Sequence, residues 1–197
     1  MDTETLFRAA VADITAGAAQ IASERPEITF EDEPPPRRLA PHAAAIAATA
    51  QQGEDELGGG KFVLLYDPAG QASWAGQYRV IAYIRAELEP DIAADPLIGE
   101  VGWSWLTEAL DARAARYVNS SGTVTRVVTE GFGAKRDEPV STGFELRASW
   151  SPVVLSDGRP DLSTHVAAWC DALCAASGLP QLAAGVTALR LPHRRPQ

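Results

Sequence analysis

A chain of 197 residues with 46% hydrophobic content can bury one full core, and its net charge of −9, from 17 basic and 26 acidic residues, argues against a nucleic-acid groove built on gathered Lys and Arg. The acids concentrate early, with 11 acids and 4 bases in residues 1–60 against 8 and 10 in residues 111–197, which also argues against an anionic membrane as partner. No apolar run reaches the roughly 18 residues of a membrane span and the start Met-Asp-Thr-Glu-Thr lacks signal-peptide character, so a cytoplasmic protein is expected.

In chain order, residues 3–24 predict an amphipathic helix, because Phe7, Val11, Ile14, Ala18 and Ile21 recur at three and four, with Arg25-Pro26 closing it. Glu27 to Glu31 alternates and meets Pro34-Pro35-Pro36, which predicts a short edge strand protected by acids. The Ala-rich run Pro41 to Gln52 predicts a peripheral helix on propensity. Gln52 to Gly60 is expected as a polar connector, and Phe62 to Tyr66 as a central strand buried on both faces. Asp67-Pro68-Ala69-Gly70 has turn chemistry. Gln77 to Leu88 alternates: Val80, Ala82, Ile84 and Leu88 share one face, and Arg79, Ile81, Tyr83, Arg85 and Glu87 share a second, half-apolar face that something must cover.

Asp95 to Tyr117 predicts the organising helix, with Asp95 as N-cap, Pro96 in the first turn and Asn119 to Gly122 ending it. At 100° per residue Trp103, Leu106, Leu110 and Tyr117 form one apolar stripe, and Val101, Trp105, Ala109 and Ala112 a second, so the helix is either wedged between layers or offers a flank to another molecule. Thr123 to Phe132 and Phe144 to Trp150 predict two strands joined by an ordinary antiparallel connection. Asp161 caps a last helix whose core stripe is Leu162, Val166, Trp169 and Leu173, ended by Gly178 and Pro180. The sum is an α+β fold: an antiparallel sheet of about five strands packed against helices in a two-layer sandwich, in the order α-β-(α)-β-β-α-β-β-α. A single domain over residues 1–197 is expected, ordered over about 3–178, with a loosely held tail 179–197.

Motifs that would carry chemistry are weak. Gly58-Gly59-Gly60-Lys61 precedes a strand instead of following one and lacks the Ser/Thr after Lys, so it is no phosphate loop. Cys170 and Cys174 share a helical flank, but His165 lies about 140° from Cys170, so the three cannot hold one ion. Ser104 lacks the flanking glycines of a nucleophile elbow. Arg126, Glu130, Glu145 and Arg147 read as a solvated sheet face. No catalytic residue, metal ligand or cofactor is expected. The residues singled out for binding are Trp74, Tyr83, Arg85, Trp103 and Trp105, because aromatics with Arg concentrate at interfaces and line ligand cavities.

The helix-strand order resembles the α-β-β-β-α-β-β-α layout of small acidic secretion chaperones, which bind proteins and form dimers. The runs Phe62 to Gln71, Glu100 to Leu106 and Ala168 to Asp171 resemble an actinobacterial family of unknown function, whose gene neighbourhood with a ribonuclease D-like exonuclease implies an RNA-related context. Together with the doubly apolar helix, these features predict a non-enzymatic protein-binding module of chaperone or adaptor kind, with a protein partner or self-association as a homodimer. The alternative is a small-molecule-binding or enzymatic domain with a pocket between helices and sheet.

Overall fold

The structure is a computed structural model that describes residues 2–181. The expected tail therefore lies, from residue 182 onward, outside the described residues. An α+β fold is present: one open antiparallel sheet of six strands in the order β1-β2-β3-β4-β6-β5, with four helices. The strands are β1 (Ile28–Glu33), β2 (His42–Gln52), β3 (Asp55–Gln71), β4 (Gly76–Glu87), β5 (Tyr117–Thr129) and β6 (Ser141–Pro152). The helices are α1 (Thr3–Glu24), α2 (Pro90–Ala94), α3 (Ile98–Ala112) and α4 (Leu162–Ala176).

The first helix and the acidic edge strand stand where the periodicity places them. The sixth strand comes from the Ala-rich run, which is β2 and not a helix. Helix propensity loses here to pairing on both sides: Ala48 lies opposite Phe30 of β1 and Gly60 of β3. The expected connector disappears into this hairpin, which turns at Gly53 and Glu54 and leaves Leu57 as a bulge where the register shifts. The turn expected at Asp67 to Gly70 is part of β3, and the chain reverses at a single 3-10 turn, Ala72–Trp74, followed by Ala75 in the left-handed region at φ 57°. Phe62 to Tyr66 is central as expected, but only Phe62, Leu64 and Tyr66 face the helices; Val63 is half-buried on the other face.

The expected organising helix is shorter and divided. Asp95 ends α2, its carboxylate accepts the Leu97 N–H at 2.8 Å, and α3 begins at Ile98 without a side-chain cap. Tyr117 and Asn119 to Gly122 belong to β5, because Ala114 at φ 55° turns the chain out of the helix first. The element that does organise the core is α4. Eleven of its fifteen residues are buried, Leu162, Val166, Ala168, Trp169, Cys170, Leu173 and Cys174 completely, since it lies between the sheet, α1 and α3.

Close packing of α4 explains the glycine run. A Cβ on Gly60 would run into the Tyr83 carbonyl oxygen and lie 3.0 Å from Trp169 Cζ2, and one on Gly58 would run into Ser177 and the Arg85 carbonyl oxygen, so glycine at both positions lets β4 and the helix approach β3. The indole N–H of Trp169 donates to the Tyr83 carbonyl at 3.3 Å. Two polar ties fix the helices. The Asp13 carboxylate of α1 accepts the Leu162 and Ser163 N–H groups at 2.6 and 3.0 Å, adding to the Asp161 cap, and Arg113 forms a bidentate pair with Asp171 at 2.7 and 3.0 Å. No helix among the described residues is long and apolar enough to cross a membrane.

Candidate functional site

All the helices gather on one face of the sheet, and antiparallel register fixes which side chains the other face presents. Paired residues share a face, so one row across the sheet reads Glu33, Ala45, Val63, Ile81, Ser149, Ser121, and the next reads Glu31, Ala47, Lys61, Tyr83, Arg147, Thr123. The second face of β4 is thus open, with alanines towards β1, aliphatics in the middle, and arginines with hydroxyls towards β5.

Charges along this face are mostly paired. Lys61 meets Glu33, Arg85 meets Glu56, and Arg147 meets Glu145 at 3.2 Å while lying over the Tyr83 ring, 5.3 Å from its centroid. Arg79 differs. Its Nη1 donates to the Asn119 carbonyl at 2.8 Å and to Ser151 Oγ at 3.2 Å, and its Nη2 donates to Ser149 Oγ at 2.6 Å and Ser121 Oγ at 3.5 Å. These acceptors are all neutral, and desolvation holds the guanidinium below its ordinary pKa.

Local irregularity builds this corner. The β5–β6 register shifts between Val118 and Ser121, with Asn119 at φ 54°, and this bulge turns the Asn119 carbonyl and the Ser121 hydroxyl towards Arg79. From the opposite side the β3–β4 connection brings in Trp74, only 9% exposed. Leu65, Trp74, Arg79, Ile81, Arg147 and Ser149 are the larger walls of a hollow of about 570 Å³.

The five residues singled out from sequence fall into two groups on opposite layers. Trp74, Tyr83 and Arg85 belong to the open face or its rim. Trp103 and Trp105 lie on α3 in the helix layer, Trp103 against Gly122 and Trp105 edge-on to Phe144 at 5.3 Å between ring centroids. Trp105 also lines a second hollow, of about 470 Å³, with Leu57, Leu88 and Ile92 under a rim of Glu56, Glu87 and Glu89. Arg79, Ser121 and Ser149 were missed; their only sequence signal was the half-apolar second face of β4.

His165, Cys170 and Cys174 are in the core, while His42 is half-buried on β2 beside Phe7 and Tyr66. His165 is buried, accepts the Trp150 indole N–H on Nδ1 at 3.1 Å, and burial pushes its pKa down to about 4. Burial pushes the Cys170 thiol well up and that of Cys174 to about 12, which suppresses thiolate. Ser104 donates to the Val101 carbonyl at 3.0 Å on the helix surface. No group of three or more His, Cys, Asp or Glu suited to a metal ion occurs among the described residues. Phe62, Leu64, Trp150 and Trp169 fill the centre of the space between helices and sheet, where a pocket was the alternative expectation, and the Trp105 hollow lies at its edge, between β3, β4, α2 and the end of α4.

The chain belongs to the family described as protein of unknown function DUF3000, whose model matches residues 3–187. No curated protein and no solved structure matches it.

Proposed function

We propose that the chain is a non-enzymatic protein-binding module, of chaperone or adaptor kind, that works as a homodimer with the open face of one sheet packed on the same face of a second copy. The observation that carries this reading is the half-apolar open face, on which Ala45, Val63 and Ile81 form a continuous row. An antiparallel sheet tolerates water on one face when that face is polar, and here an apolar row interrupts the charged positions of β3 and β4.

Charge placement selects the copy and its orientation. Glu31 and Glu33 stand at the β1 margin, and Arg79 and Arg147 stand on β4 and β6. A two-fold axis parallel to the strands sets the β1 margin of one copy over the β6–β5 margin of the other, so Glu31 approaches Arg147. An axis across the strands would set acid on acid. Face-to-face sheets pack about 10 Å apart with strands roughly 30° from alignment, which small residues such as Ala43, Ala45 and Ala47 accommodate.

Light scattering after gel filtration tests this. Wild type is expected at twice the chain mass of 20.9 kDa, and Val63→Glu at the monomer mass with an unchanged circular dichroism spectrum. Trp105→Ala is expected to remain dimeric, because its ring packs on Phe144. A monomeric wild type at about 100 µM would sink the dimer. A small-molecule-binding role is the second reading, favoured by the hollow beside Arg79.

A further inference from the structure

The hollow at the Arg79 corner has the composition of an anion site in a chain that is otherwise acidic. Its lining contains two arginines and three hydroxyl side chains, those of Ser121, Thr123 and Ser149, and no carboxylate. Four of the five Arg79 donors are engaged by neutral oxygens, so the side chain is held in place while its charge stays unmatched.

The serines convert that charge into directed donors. Ser121 and Ser149 each use an oxygen lone pair to accept from Arg79, which turns their hydroxyl hydrogens away from the guanidinium. The two oxygens are 3.4 Å apart, so one hydroxyl can donate to the other, and the second is left to point into the hollow. Arg147 on the same row as Thr123 adds guanidinium N–H groups, because its pair with Glu145 occupies only Nη2. Across from these donors stand Trp74, Leu65 and Ile81. Convergent polar groups beside an apolar wall make this shallow, open hollow of about 570 Å³ a seat for one face of a small molecule.

We infer that this hollow binds a small organic carboxylate, its head group hydrogen-bonded by the Ser121–Ser149 pair and Arg147 with Arg79 behind, and its flat apolar body on Trp74 and Ile81. Charge arithmetic favours a monoanion. Arg147 is already paired with Glu145, so Arg79 contributes the one unmatched charge, and a dianionic phosphate would leave a negative charge in a partly desolvated corner. This deepens the small-molecule reading and competes with the dimer, which would cover the hollow because Ile81 belongs to the interface row and Arg147 would meet Glu31 of the second copy.

The experiment is a titration of the full chain with 2-naphthoate and, in parallel, with neutral 2-naphthamide at fixed ionic strength, followed by isothermal calorimetry and amide chemical shifts. Naphthoate is expected to bind at least about tenfold more tightly than the amide, with shifts centred on Ser121, Ser149 and Ile81. Arg79→Gln should abolish that preference. Ser149→Ala, which keeps both arginines, should weaken naphthoate several-fold at unchanged melting temperature. The Val63→Glu variant, whose seat no second copy covers, should bind naphthoate at least as tightly as wild type, which separates loss of the seat from loss of the dimer. Equal affinity for acid and amide, unchanged binding in Ser149→Ala, or no naphthoate binding up to about 10 mM would overturn the inference.

Discussion

The two faces of the sheet are built by the same six strands and solve opposite problems. On the helix face, residue size varies sharply from strand to strand: Gly58 and Gly60 make a trough, Trp150 and Trp169 fill beside it, and alanines of α4 fit between. On the open face the chemistry grades across the strands, from carboxylates through alanines and aliphatics to arginines with serines, with Lys61 and Tyr83 among them. The difference teaches where function can reside. A face packed around α4 buries His165, Cys170 and Cys174 beyond the reach of a substrate, whereas the open face of a single protomer keeps charged and hydroxyl groups accessible.

The largest test of this contrast is Trp169→Ala, expected to cost about 3–5 kcal/mol in urea denaturation, because the ring is fully buried and its indole N–H satisfies the Tyr83 carbonyl. A loss under about 1 kcal/mol would mean that the trough is not a packed interior. The next test is pH. His165 is held neutral in the fold with a pKa of about 4, against about 6.5 in the unfolded chain, so between these values the unfolded state binds the extra proton and stability falls as pH drops. The expected loss is about 2 kcal/mol between pH 7 and pH 5, read as the difference in urea midpoint between wild type and His165→Gln. A difference that does not change with pH would remove the buried imidazole from the account.

Legibility followed the same division. The helix α1, the acidic edge β1, the alternation of β4 and β6, and the capped start of α4 were all readable, because each carries its own period or punctuation in sequence. The Ala-rich β2 was misread, since nothing local tells an alanine run that its neighbours will be Phe30 and Gly60. Helix α3 seemed central because its two tryptophans are conspicuous. The centrality of α4 was hidden because its second and third faces are Ala and Cys, which reveal burial only by how closely other elements approach. The Arg79 corner was invisible for a different reason: it joins residues from β4, β5 and β6 through a bulge that no local pattern announces.

Two smaller effects sharpen the contrast. Asp13→Ala should cost about 1 kcal/mol in thermal or urea unfolding, since the carboxylate satisfies two N–H groups at the start of α4 from another helix. No loss would show that Asp161 alone suffices. Tyr83→Ala on the open face should stay within about 0.5 kcal/mol of wild type when measured on the Val63→Glu background, where no second copy covers the ring. A cost like that of Trp169→Ala would mean the open face is part of the interior.

Helix α4 follows all six strands in the chain, and this order sets a hazard during synthesis. At about 5–20 residues per second, the ribosome delivers Phe62, Leu64, Val80, Ile84 and Trp150 well before the helix that covers them. A nascent chain that has not reached Leu162 carries a sheet with a bare oily side and can shield it with α1 and α3 alone. Premature termination upstream of that residue would therefore release a product prone to sticking and to proteolysis.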